Sequence, residues 1–273
     1  MAIEVVYGLL SGSVALLSDA GHNLGDVLGL VAAWAASILV RRAPTARYTY
    51  GLLGSSILAA LFNSVFLLVA AGAISWEALR RLYEPEPVAG AQVMAVAILG
   101  ILVNGATAWL FASGRRDDIN LRAAFVHMAS DALASAAVAA AGLVILLTGW
   151  TRIDPLVSLA VNAIIVWGAW GLLKETLAMA MAAAPASVDP ERVRAFLLAR
   201  PGVTAIHDLH IWPMGASEIA LTCHLVTPAG HPGDAFLLAT ARELKSKFKI
   251  GHATLQMEVD EKTSCALAPD DVI

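Results

Sequence analysis

Two short stretches place a histidine and an aspartate four residues apart within apolar sequence: His22 and Asp26 in SDAGHNLGD, and His127 and Asp131 in FVHMASD. A spacing of four puts both side chains on one helix face, about 6 Å apart and one above the other. Each face then offers one imidazole nitrogen and one carboxylate oxygen. Two such faces turned toward each other make an N2O2 donor set, which suits a tetrahedral divalent ion of the zinc class. Two carboxylates balance the charge of that ion. Emptied, the site would hold two bare carboxylates in low dielectric, so protons should take the metal's place. Histidine titrates near neutral pH and loses its proton to a metal, which fits the same exchange.

The elements that carry these pairs read as membrane spans. Of 273 residues, 58% are hydrophobic and 15% charged, with a mean hydropathy of +0.71. A soluble domain of this size would carry about 25% charged residues. Apolar runs at roughly 51–76, 91–113, 123–149 and 155–173 are each long enough to cross a bilayer. A fifth run, 14–40, is long enough as well and holds Asp19, His22, Asn23 and Asp26 in its first half. Residues 1–10 are apolar but about half the required length, and the Ser11-Gly12-Ser13 turn separates them from the next run. They read as the second half of a helix whose first half is missing.

Ionisable groups inside a span cost at least a few kcal/mol each and are functional candidates by default. His22 lies about nine residues from the outer end of its span and His127 about six from the inner end of its own. At about 1.5 Å rise per residue, both pairs fall near mid-bilayer and can meet. Asp19, one turn above, is either structural or part of the outer mouth. Asn23, Ser18 and Ser130, with Asn63 and Asn104, suit helix packing.

Basic residues set the orientation. Arg41, Arg42, Arg47, Arg115, Arg116, Arg122 and Lys174 fall on one side, against Arg80, Arg81 and Arg152 on the other. Seven against three places the first group, and with it the C-terminal part of the chain, in the cytoplasm. No basic n-region of a cleavable signal peptide precedes the first apolar stretch. The net charge of −4 gives no reason to expect nucleic acid as a partner. Cys223 and Cys265 are too few for a disulfide framework.

Composition shifts at Ala183-Ala184-Pro185, dividing a membrane domain, 1–184, from a soluble domain, 185–273. In the latter, Asp189 and Pro190 open a helix that stops at Pro201-Gly202. VTAIHDLHIWPMG and ASEIALTCHLVTP alternate as strands, residues 233–248 form an amphipathic helix, and HATLQMEVD is a third strand. The order αββαβ predicts a small ferredoxin-like α+β sandwich. Strict alternation puts His207 on one strand face with Leu209 and Ile211, and His210 on the other with Trp212. His231, in a Pro/Gly loop, reads as a solvated residue. On spacing alone, metal binding by His207, His210, His224 and His252 stays open.

No His-Glu-x-x-His pair of a metalloprotease and no Gly-rich phosphate loop of an ion-pumping ATPase occurs, so the sequence does not read as an enzyme. A metal-sensing or non-transporting membrane protein is the alternative to a transporter.

The stretches SGSVALLSDAGHNLGD, SSILAALFN, FVHMASD, IDPLVSL, HDLHIW and HATLQMEVD resemble the cation diffusion facilitators, of the bacterial cobalt-zinc-cadmium resistance and zinc transporter type. The resemblance spans nearly the whole chain. It implies a six-helix membrane domain, here with a truncated first helix, and a cytoplasmic regulatory and dimerisation domain. It further implies a homodimer in the inner membrane of a bacterium that exports zinc in exchange for protons, with cadmium or cobalt as alternative cargo and no cofactor. His22, Asp26, His127 and Asp131 match the family's transport site. His207, His224, His252 and Glu258 match its regulatory metal site, and His210 lies within the same motif. Three features depart from relatives. Leu52 to Leu58 lack an Arg/Glu pair, the 41–50 loop has no histidine or acid, and the 114–122 loop has no histidine-rich run.

Overall fold

A computed structural model describes residues 2–112, 119–259, 265 and 267. Six helices come first: α1 (Ala2–Ser11), α2 (Val14–Val40), α3 (Ser55–Tyr83), α4 (Gly90–Ala112), α5 (Ile119–Thr148) and α6 (Ile153–Ala180). Among the described residues, five of them, α2 to α6, are long and apolar enough to cross a membrane. The ten-residue α1 is not. Arg115 and Arg116, two of the seven basic residues used for orientation, lie outside the described residues. The chain divides into two compact units, residues 1–31 with 62–172 and residues 32–61 with 173–273.

In the first unit, polar contacts tie α2 to α6. Gly12 takes a positive φ of 69°, which lets the chain turn between α1 and α2 within two residues. The start of α2 is capped by a side chain 140 residues away. Asp154, fully buried, accepts from Ser13 Oγ at 2.5 Å, Val14 N at 2.7 Å and Ala15 N at 3.3 Å. An acidic group here satisfies N–H donors that no helix can pair internally. Down the same face of α6, Ser158 donates to the Val14 carbonyl and Asn162 accepts from Ser18. Asp154, Ser158 and Asn162 recur every fourth residue, so a single helix face makes all three contacts.

A buried cluster of Ala15, Leu16, Val93, Val96, Ala97 and Val138 joins α2 to α4 and α5. Helices α4 and α5 cross closely at Gly90 and Gly142, where a Cβ on Gly90 would stand 2.7 Å from the Gly142 carbonyl. Small residues at such crossings let backbones approach, the main packing device inside a bilayer. Helix α3 runs seven residues past the apolar stretch that predicts it. Glu77 and Glu86 bind both Arg80 and Arg81 at 2.7–3.2 Å, and Arg81 also donates to the Gly12 carbonyl. The ion pairs at i,i+3 and i,i+4 sustain the helix after its hydrophobic run ends.

In the second unit, α7 (Pro190–Leu198) opens on Asp189, whose side chain accepts from Glu191 N and Arg192 N, as the Asp-Pro pair predicts. Strands β1 (Ala205–Pro213) and β2 (Ile219–Val226) pair antiparallel. Helix α8 (Asp234–Phe248) then returns the chain to β3 (Ile250–Glu258), which pairs parallel to β2. The order β1-β2-β3 with both helices on one face realises the predicted αββαβ sandwich. Val193, Leu197 and Leu244 of the helices pack on Ile206, Ile211, Leu221, Cys223 and Leu225 of the sheet.

Candidate metal centres

The four predicted membrane residues come together in the first unit. His22 Nε2 lies 3.7 Å from Asp26 and 3.5 Å from Asp131. His127 Nε2 lies 3.4 Å from Asp26 and 3.7 Å from Asp131. Each imidazole thus stands between both carboxylates, one from its own helix and one from the facing helix. Around a tetrahedral zinc ion with bonds of about 2.0–2.2 Å, neighbouring donors sit about 3.3–3.6 Å apart. The four His–Asp separations lie near that spacing, with Asp131 meeting the two rings through different oxygens. Donor atoms of His22, His127 and Asp131 all lie within 4.8 Å of one another, and Asp26 meets both rings from the side of α2.

The supports of this quartet are themselves polar. Asp19, only 2% exposed, accepts from Ser135 Oγ at 3.1 Å. Ser135 follows Asp131 by one turn on α5 and Asp19 precedes His22 by one turn on α2. Of the two roles open from sequence, the contact supports the structural one: Asp19 ties together the helices that present the pairs. A cavity of about 560 Å3 opens on Asp26, His127 and Asp131 and is lined also by Asn23, Asn104 and Glu4. Glu4 is buried on α1 and accepts from Asn23 Nδ2 at 3.2 Å. The helix of Glu4 is too short to read as a span, yet an acid set within ten apolar residues is itself a signal.

The C-terminal unit gathers a second set. His207, His224, Glu258 and Cys265 each turn one donor atom into a group whose members all lie within 4.8 Å of one another. His207 Nε2 stands 3.3 Å from Glu258 Oε1. His224 Nδ1 stands 2.9 Å from the same oxygen and 3.7 Å from Cys265 Sγ. Partial burial pushes the Glu258 carboxyl up, but Cys265, His207 and His224 outweigh it and hold it below the usual range.

Two expectations for this unit need correction. His207 does not share a face with Leu209 and Ile211. A β-bulge, with Asp208 at a φ of 53°, adds one residue between the pairs His207–His224 and His210–Thr222. The extra residue turns His207 and His210 onto the same face, opposite the helices. Nor is His252 brought to the cluster. The register of β2 on β3 sets Gln256 and Glu258 against His224 and Val226, whereas His252 pairs with Ala220. Four residues along a strand is about 13 Å, and the His252 ring meets Tyr50 edge-on instead, at 5.4 Å.

Asp208, which no alternation pattern singles out, also joins the cluster. Its Oδ2 lies 3.4 Å from His224 Nε2 and its Oδ1 2.8 Å from His210 Nε2. A carboxylate on the far nitrogen of a ligating histidine fixes the tautomer and the ring. His210 accordingly holds Asp208 and is not itself a donor to the cluster. His231 is exposed and accepts from Gly233 N, as expected of a loop residue.

Comparison with known proteins identifies relatives of both parts of the chain. The family described as the cation efflux transmembrane domain matches residues 1–180, and the cytoplasmic domain of cation efflux proteins matches residues 185–260. The chain is 40% identical over 260 residues to the zinc transporter ZitB of Pectobacterium atrosepticum, covering 94% of this chain and 81% of that one. It is 33% identical over 265 residues to a cadmium, cobalt and zinc/H(+)-K(+) antiporter of Bacillus subtilis, covering 95% and 85%. Among solved structures, the metal-bound C-terminal domain of the CzcD transporter from Cupriavidus metallidurans is 40% identical and matched over 98% of its length and 26% of this chain, with a TM-score of 0.23.

Proposed function

The chain belongs to the cation efflux family, and we propose that it moves zinc out of the cytoplasm across the inner membrane in exchange for protons. It is a multi-pass membrane protein that exports divalent metal, with its C-terminal domain in the cytoplasm. Residues 1–184 form the transport domain and residues 185–273 the regulatory and dimerisation domain, through which two copies associate. The observation that carries this reading is the quartet of His22, Asp26, His127 and Asp131, with every imidazole between two carboxylates at 3.4–3.7 Å.

That geometry does three things for transport. It supplies two neutral nitrogens and two negative oxygens, so the bound ion is balanced and can sit in low dielectric. It draws one ligand pair from each of two helices, so a small relative motion of α2 and α5 opens the set and releases the ion. It also leaves two carboxylates that protons must neutralise before the empty site can turn back, which couples export to proton entry. In the C-terminal domain, His207, His224 and Glu258 hold a second, regulatory zinc ion.

Zinc flux into proteoliposomes under an imposed pH gradient tests the reading, with Asp26→Ala and Asp131→Ala as the variants. Parent-like flux in both would overturn the membrane site. Binding of zinc by the parent without flux would instead support a metal sensor.

A further inference from the structure

We propose that Cys265 is a thiolate ligand of the regulatory ion, completing a centre of two histidines, one glutamate and one cysteine that takes zinc or cadmium. The inference rests on the reading that the C-terminal unit holds an ion and does not require that the chain transport one. Three strands and the segment after them each supply one donor: His207 from β1, His224 from β2, Glu258 from β3 and Cys265 beyond it. Four donors of this type make a closed tetrahedral set, as structural zinc sites use. One thiolate and one carboxylate balance the divalent ion, as the two carboxylates do in the membrane.

Two further observations point to a ligand and not to a chance cluster. His207 Nε2 is buried and has no hydrogen-bond partner among the described residues, although it faces Glu258 at 3.3 Å. A buried ring nitrogen without a partner is uncommon and calls for an explanation, which an ion between these groups provides. The second is the clamp on His224. Its Nε2 faces Asp208, so Nδ1 is the nitrogen turned toward Glu258 and Cys265. Asp208 is in turn held by His210 at 2.8 Å. The bulge that brings Asp208 into place thus has a reason: it converts the run His207-Asp208-Leu209-His210 into one ligand, one orienting carboxylate and one clamp on that carboxylate.

The softness of the donor set follows from the sulfur. Thiolate favours zinc and cadmium, whereas magnesium and manganese prefer oxygen donors. Cys265 is also a chemical reporter, because only one other cysteine exists. Cys223 lies in the core with its thiol pushed up to about 12 by burial, so it stays unreactive and serves as an internal control.

The test uses the full chain in detergent, in an Asp26→Ala/Asp131→Ala background that removes the membrane site. Iodoacetamide labelling is followed at each cysteine by mass spectrometry, beside zinc binding by calorimetry. The expected result is that zinc and cadmium block labelling of Cys265 whereas magnesium does not. Cys265→Ser should lose more zinc affinity than the roughly 10–100-fold that follows removal of an outer partner, and Asp208→Ala should fall within that range. With Co2+ in place of zinc, a thiolate-to-metal charge-transfer band should appear in the parent and vanish in Cys265→Ser. If zinc binds with one equivalent but leaves Cys265 as reactive as before, the thiolate assignment is wrong and the regulatory ion stands. If no zinc binds in this background, the regulatory ion falls as well.

Discussion

Replacing Asp154 by alanine removes the acceptor that closes the start of α2, and the consequence can be worked out donor by donor. Three groups lose their partner: Ser13 Oγ, Val14 N and Ala15 N, at 2.5, 2.7 and 3.3 Å. The serine hydroxyl can rotate to another acceptor. The two N–H groups cannot, because the first turn of a helix has no intrahelical acceptor for them. At about 1–3 kcal/mol for each of the two buried donors left unpaired, the loss comes to about 2–6 kcal/mol. Polar contacts between spans average only about 0.6 kcal/mol because the unfolded chain in the membrane finds other partners. A capped helix end differs, since its donors stay unpaired in any helical state. Thermal unfolding in detergent, followed by tryptophan fluorescence, reads the change. Asp154→Ala should unfold well below the parent, Asp154→Asn should fall between them, and Ser13→Ala, which removes the acceptor of Leu16 N, should lose about 1–3 kcal/mol. An Asp154→Ala protein with the parent's unfolding midpoint would refute the idea that this carboxylate holds α2 in place.

Other outcomes follow from the same contacts. Glu4→Gln keeps the hydrogen bond from Asn23 but removes a charge from the cavity, so it should raise the zinc concentration needed for half-maximal flux; an unchanged concentration dependence would show that Glu4 serves packing alone. His252→Ala should leave regulatory zinc binding intact, and a loss of affinity by calorimetry would restore it as a ligand. Lys247 and Arg200 hold the Glu243 carboxyl below its usual 4.5. Its contribution is therefore present above that value and is lost as pH falls through the lower folded value. Glu243→Gln should make unfolding of the C-terminal domain less acid-sensitive in that window, measured by circular dichroism between about pH 5 and 2.

The grouping of His22, Asp26, His127 and Asp131 was legible because helical spacing is a strong constraint. Four residues between histidine and aspartate place both on one face wherever the helix goes, and the structure brings the two faces together. The αββαβ order was legible for a similar reason, since Asp189-Pro190 and the alternating strands announce their own geometry. What escaped is what depends on register. One residue in positive φ, Asp208, moves His207 to the other face, and no alternation pattern announces it. The choice between His252 and Glu258 as partners of His224 turns on how β2 slides along β3, which is fixed by packing across the sheet. Cys265 lies beyond the last described strand, so only folding brings it to the cluster. The long α3 escaped because ion pairs of Glu77 and Glu86 with Arg80 and Arg81 extend a helix that hydropathy ends early.

The central claim is that the His22/Asp26/His127/Asp131 quartet carries metal across the membrane against protons. Proteoliposomes loaded with a zinc-sensitive dye and held under a pH gradient report on it directly. The parent should move zinc only when the gradient is present, and Asp26→Ala and Asp131→Ala should each abolish that flux while still binding zinc in the C-terminal domain. Gradient-driven flux that persists at the parent rate in both variants would contradict the account.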